Sequence, residues 1–240
     1  MLPTRNQSTK DGPPALVRQL RQPLFSKLMV MKRTSKNLVI SASIVGVLAI
    51  TCLYVVATSK QRDLGRFLRR LSAVELGKTT PEQWKKDLNR ASLPNAVVHC
   101  QGNSCGSELR VDNQFVHKLR LAPLTIADAS VAFQDGVASE VYVILEVEGV
   151  DKVGQQYPNK GLVIRETSEK PNSCQQEYRA QVGKGYSPGD RSWGTIAMDR
   201  CVSAADRSKA LALNVGCLSK IGGCKTIDQM NPTVFAGKNQ

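Results

Sequence analysis

Hydrophobic and polar positions divide this chain into stretches of different period. Leu38 to Ala57 is twenty residues without a charged side chain, broken only by the small polar residues Ser41, Ser43 and Thr51. As a helix rising 1.5 Å per residue it spans about 30 Å, the hydrocarbon thickness of a bilayer. Lipid offers no partner to a backbone amide, so a segment of this kind is expected as a transmembrane helix. Beyond it Leu64, Phe67, Leu68, Leu71 and Val74 recur at helical spacing, with Arg62, Arg66, Arg69 and Arg70 on much of the remaining surface. That pattern predicts a basic amphipathic helix over residues 58–78, ended by Gly77. Its apolar stripe can pack on the folded domain, or the helix can lie at the headgroup layer with those four arginines on lipid phosphates.

A second helix opens at Thr80-Pro81-Glu82-Gln83. Thr80 can cap, Pro81 suits the first helical position, and Gln83 can complete a capping box. Trp84 and Leu88 then share a face, and Pro94 closes the unit. The stretch Gly77 to Trp84 resembles the helix opening of small envelope lipoproteins of the BamE type. The resemblance rests on the capping box, and no function is carried from it.

From Val97 onward the period becomes two. Leu109–Val116 reads as a strand, and Ala129–Gln134 and Val137–Val147 flank Asp135-Gly136, a strong hairpin signal. Strands over Gly161–Thr167, Glu177–Val182 and Trp193–Met198 follow, separated by Pro, Gly and Asn. Leu211, Leu213 and Val215 alternate as a last strand, with a helix over 203–213 as the competing reading; Thr226–Met230 suits a short terminal helix. No strand–helix–strand crossover is visible, which argues against a parallel sheet. The fold class expected is α+β: a transmembrane helix and an amphipathic helix, then a small helix and a mainly antiparallel sheet domain stapled by disulfides. The domains expected are a mobile basic tail (1–37), a transmembrane signal anchor (38–57), the juxtamembrane helix (58–78) and an extracytoplasmic α+β domain (79–240).

Charge changes the picture because of where it lies. The net +13 concentrates as +7 in residues 1–37 and +4 in residues 58–78, leaving the rest of the chain at +2. A nucleic-acid-binding domain carries its excess on the folded body, where phosphates are neutralised. Here the excess flanks the apolar run, so lipid headgroups are the expected partner and nucleic acid is not. Val55-Val56-Ala57 offers a site that signal peptidase could accept, but the apolar stretch exceeds a signal core, so an uncleaved anchor is expected. Met31 opens a compact basic-then-apolar start, leaving the tail before it as an extension or the start codon at Met31. Basic residues on the two sides nearly balance. Cysteine usage breaks the tie. Cys52 lies in the apolar run, while Cys100, Cys105, Cys174, Cys201, Cys217 and Cys224 follow it. An even set after an export-type segment suggests disulfides in an oxidising compartment, with the N-terminus cytoplasmic and the C-terminal domain outside. Cys100–Cys105 and Cys217–Cys224 are the most local pairs, leaving Cys174 and Cys201, although six cysteines allow 15 connectivities.

Catalytic chemistry finds no assembled motif. The four residues between Cys100 and Cys105 are not the two of a redox pair. His99 and His117 fit zinc spacing only loosely, so no metal and no cofactor are expected. There is no Gly-x-Ser-x-Gly elbow, and the glycines of 183–189 lack the Gly-Lys-Ser/Thr ending of a phosphate loop. Glu140, Glu146 and Glu148 share one parity against Val141, Val143 and Val147, as on a half-solvated strand. The loop Lys184–Trp193 mixes Tyr186, Arg191 and Trp193, residue types that anchor interfaces. The leading expectation is a membrane-anchored binding or scaffold domain with a protein partner, more a binder than an enzyme. The alternative is an extracytoplasmic hydrolase with a dispersed site.

Overall fold

The computed structural model describes residues 22–150, 156–168, 178–184, 192–218 and 220–236. The chain divides into two compact units, Met1–Cys52 and Leu53–Gln240. A single helix, α1 (Gln22–Leu71), runs through the boundary. Pro23 falls in its first turn, where a missing amide costs nothing, so residues 22–37, expected as tail, are helical. Over Ile40–Leu71 the helix is long and apolar enough to span a membrane. Ile44, Val47, Leu48 and Ile50 stand exposed along it. The Thr51 hydroxyl donates to the Val47 carbonyl at 2.8 Å, so this polar group is satisfied within the helix itself.

In the second unit the C-terminal turns of α1 bury Leu64, Phe67, Leu68 and Leu71 in the core. Of the two outlets for the stripe, packing on the domain is the one observed. The helix stops at Leu71 rather than Gly77. A tight connection replaces its last expected turn, with Gly77 at φ +77° donating its amide to Ala138. Helix α2 (Pro81–Arg90) begins with the expected capping box, Thr80 and Gln83 each satisfying the other's backbone amide. Trp84 packs edge-on to Phe67, ring centres 5.4 Å apart.

Seven strands form one sheet in the order β1-β2-β3-β4-β5-β7-β6. They are β1 (Val98–Gln101), β2 (Ser104–Asp112), β3 (Thr125–Gln134), β4 (Val137–Val150), β5 (Gln156–Thr167), β6 (Tyr178–Lys184) and β7 (Ser192–Asp199). The β3–β4 hairpin turns on Asp135-Gly136, both with positive φ, as the sequence predicts. All neighbours are antiparallel except β5 and β7. The sheet is thus mainly antiparallel, as expected, with one parallel pair that the sequence did not indicate: β6 takes the edge, and β7 returns to lie beside β5.

Two further segments differ from expectation. The strand read over Leu109–Val116 ends at Asp112, and α3 (Gln114–Lys118) follows. Asn113 makes the break, its amide donating to the Pro123 carbonyl and its oxygen accepting from the Thr125 amide. The strand read over Leu211–Val215 is instead the exit of α4 (Ala204–Ala210) into a 3-10 turn, Val215–Leu218. The competing helical reading held the physical signal, Ser203 capping Asp206. Helices α5 (Ile227–Met230) and α6 (Pro232–Phe235) complete the described chain.

One core unites these parts. It takes alternate residues of the strands, Leu109 to Met198, together with Leu64, Trp84, Ala210, Leu218, Ile227 and Phe235 from the helical segments. Within it Arg207 of α4 meets Glu166 of β5, Nε donating to both carboxylate oxygens at 2.9 and 3.0 Å. Arg207 also donates to the Val74 carbonyl at 3.0 Å, tying the end of the α1 connection to the sheet.

Two staples lie where spacing placed them. Cys100 and Cys105 are register partners across the β1–β2 hairpin, Cα atoms 4.0 Å apart and bonded. Cys217 and Cys224 are bonded with Cα atoms 5.1 Å apart. Cys201 is disulfide-bonded as well, while Cys174, its expected partner, lies outside the described residues.

Candidate outward sheet face

The parity that buries Val141, Val143 and Leu145 on β4 turns Glu140, Tyr142, Ile144, Glu146 and Glu148 the other way. The β3 residues Ile126, Asp128, Ser130 and Ala132 accompany them, all of these half-buried. Register aligns them in rows: Glu108, Ser130, Tyr142 and Arg165 in one, Arg110, Asp128, Ile144 and Val163 in the next. The face is therefore a mixed surface, an apolar strip of Ile126, Ile144 and Val163 set among carboxylates and arginines.

Trp193 closes one edge of it. It pairs with Gly161, and a Cβ there would overlap the indole ring atoms Cζ3, Cη2 and Cε3. Glycine at 161 thus lets the ring lie flat over β5. Gly194, the next residue, faces the core against Ile227 and Phe235, which fixes Trp193 outward. Tyr186 and Arg191, the other interface residues expected from sequence, lie outside the described residues.

Electrostatics on this face is set by partial burial of like charges. Burial pushes the Asp128 carboxyl up to about 6, helped by the charge of Glu108 and a hydrogen bond with it, while Arg110 opposes the shift. Burial also raises Glu146. It raises Tyr142 too, with Glu146, Asp128 and Glu140 adding to the effect. Arg165 pairs with Glu140 at 2.6 Å. Glu148 Oε2 is buried and has no hydrogen-bond partner among the described residues.

A raised carboxyl means that the folded state holds its proton more tightly than the unfolded chain. Stability from Asp128 is present below its ordinary range near 4 and declines as pH rises through about 6. Asp128→Asn removes that decline. After discounting for the half-exposed position, we expect about 1 kcal/mol of added stability at pH 7.5 and none near pH 4. Thermal unfolding at the two pH values checks this; an equal effect at both would reject it.

The four arginines expected at lipid headgroups lie along α1 beyond the apolar run. Arg66 bonds Asp63 and donates to the Ala91 carbonyl at 3.1 Å. Arg66, Arg69 and Arg70 join Arg90 of α2 around a groove of about 470 Å³. Arg62 lines a second groove with Tyr54, Thr58 and Gln61. Of the histidines, His117 sets Nδ1 3.3 Å from the Ala122 carbonyl. His99 stands exposed on edge strand β1 opposite Gly106. The sequence signal for the outward face was present in the parity of Glu140, Glu146 and Glu148. Tyr142 and Ile144 share that parity, but their hydrophobicity matches the buried side, so periodicity alone does not mark them as outward. Asp128 and Arg110 meet only through strand register. Compared with known protein families, curated proteins and solved structures, the chain matches none.

Proposed function

We propose that this chain is a single-pass membrane-anchored domain that acts by binding a protein partner through its outward sheet face. The observation that carries the reading is that face itself. An aromatic, aliphatic and carboxylate surface lies on strands whose other side is packed by helices. Rigid strands hold such a surface without ordering cost on association, and Tyr and Trp supply the large contact area that dominates interface energy. The carboxylates favour a partner with basic groups.

The anchor is supported by the length and apolarity of α1 over Ile40–Leu71 and by the basic residues on both sides of its uncharged run. Disulfides support an oxidising compartment for the sheet domain and, with it, a cytoplasmic N-terminus. Of the four arginines, Arg62 then lies nearest the lipid phosphates. At 1.5 Å per residue Arg69 and Arg70 stand about 18–20 Å past Ala57, beyond the headgroup layer.

Site-specific photo-crosslinking of the full chain in its native membrane tests the proposal. A photoreactive residue at Ile144 is expected to give a discrete protein adduct. The adduct should be lost with Tyr142→Ala plus Trp193→Ala, and one placed at exposed Gln83 should give none. Equal adducts at both sites, or an Ile144 adduct indifferent to the double substitution, would reject the outward face as the binding surface.

A further inference from the structure

Large exposed hydrophobic residues in the second unit, outside α1, are few, and they are not scattered. Among the described residues they are Val97, Leu119, Leu121, Val182 and Ile221, three of which belong to two loops joined to each other. Leu119 (52% exposed) and Leu121 (43%) follow α3; Ile221 (79%) sits in the loop closed by Cys217–Cys224. The Gly222 amide donates to the Leu121 carbonyl at 2.8 Å, locking one loop to the other.

Both loops are held by covalent or buried polar bonds, so the exposure is built in. Asn113 braces the first through Pro123 and Thr125, and the Leu121 and Arg120 amides return to Val116 and His117. Arg120 takes a positive φ of 57°, a conformation a non-glycine residue adopts only where its surroundings hold it. The disulfide braces the second. Lys118, Arg120 and Lys220, all exposed, are the chain neighbours of the three apolar tips.

The roots of these loops gather at the point where α1 leaves its apolar run. A cavity of about 210 Å³ is lined by Val56, Lys60 and Gln61 of α1, by Phe115 and Lys118 of α3, which leads into the first loop, and by Leu218 at the foot of the second. Lys60 is the first charged residue after Leu38–Ala57.

We propose that Leu119, Leu121 and Ile221, flanked by Lys118, Arg120 and Lys220, form a second membrane contact that seats the sheet domain on the phospholipid headgroup layer. This rests on the reading of α1 as a membrane anchor. Short aliphatic tips with cations beside them match an interface that is apolar below and phosphate-bearing above. A protein-binding patch is instead expected to be enriched in aromatic residues and depleted of lysine at its core, and these tips include no aromatic. The contact fixes the domain's orientation, so that a partner is met at a defined height above the bilayer.

Nitroxide labels on the full-length chain in lipid nanodiscs, with and without phosphatidylglycerol, test this. Labels are placed at native Cys52 and, in a Cys52→Ser background without reductant, at Leu119→Cys, Ile221→Cys and, as an aqueous reference, Gln83→Cys. Collision with oxygen and with a water-soluble nickel chelate reports depth. The oxygen-to-nickel ratio at 119 and 221 is expected several-fold above that at 83 and to rise with phosphatidylglycerol. If labels 119 and 221 read as aqueous while Cys52 reads as hydrocarbon, the second contact is overturned and the anchor stands. If Cys52 is aqueous as well, the anchor reading falls with it. Labels 119 and 221 shielded from both reagents would mark a protein contact and also overturn the proposal. Using two tips keeps the result readable should one added cysteine disturb the nearby disulfide.

Discussion

Arg207→Leu is expected to cost about 3–5 kcal/mol of stability, because it leaves the Glu166 carboxylate in the core without its cation. Glu166 is fully buried on β5, and Arg207 is the group that bonds both of its oxygens. The Val74 carbonyl loses its donor in the same step. Burial already raises the Glu166 carboxyl, and hydrogen bonding and charge from Arg207 hold it down. With the arginine gone the carboxyl rises further above its unfolded value. The variant's folded state then holds a proton that the unfolded chain releases, so its stability falls as pH rises from about 5 toward 8. Denaturant unfolding at pH 5 and pH 8 is expected to show the larger loss at pH 8. The pair Arg207→Leu with Glu166→Leu should recover much of the loss, since no charge then remains to be buried. A loss below about 1 kcal/mol, or one independent of pH, would show that the pair contributes nothing specific.

Phe67→Ala is the second large effect. The ring is fully buried and meets Trp84 edge-on, joining α1 to α2 and the sheet. Truncation leaves a cavity in a dense core, a change that costs about 3–5 kcal/mol, or roughly 10–15 °C in Tm for a domain of this size. The loss is directional. Leu64, Leu68 and Leu71 of the same helix are buried in the same cluster, so the C-terminal turns of α1 should loosen before the strands do. Limited trypsin digestion in detergent is expected to cut at Arg66, Arg69 or Arg70 while the fragment carrying the sheet survives. Phe67→Leu, which keeps most of the volume, should resist. Equal digestion of the wild-type and Phe67→Ala chains would separate α1 from the core energetics.

These two positions differ in how far the sequence reveals them. Phe67 sits on a helical stripe visible by spacing alone, and the period of its neighbours told which face was apolar. What spacing could not say was whether protein or lipid covers that stripe, since both satisfy the same pattern. Arg207 carried no signal. It reads as one more surface cation of a short helix until β5 brings Glu166 beneath it, 41 residues away in the chain.

Strand content followed the same division. The Asp135-Gly136 hairpin, the capping box at Thr80 and the local disulfides were legible because each depends on residues within a few positions of one another. Leu109–Val116 misled because Phe115, Val116 and His117 continue an alternating look past Asn113, whose hydrogen bonds to Pro123 and Thr125 end the strand from outside it. Leu211–Val215 misled for a related reason, its alternation being short enough for a helix exit to imitate.

By itself, then, the amino-acid order determined the apolar span, the basic flanks, the class of fold and the nearest covalent staples, all properties of contiguous residues. Tertiary structure alone decided the parallel seating of β7 beside β5, the burial of Glu166 under Arg207, and the meeting of two loops into one apolar tip. The physical reason is range. Period, capping and tight turns are written within a turn or two of chain, whereas strand order and side-chain encounters depend on which distant surfaces share a single core.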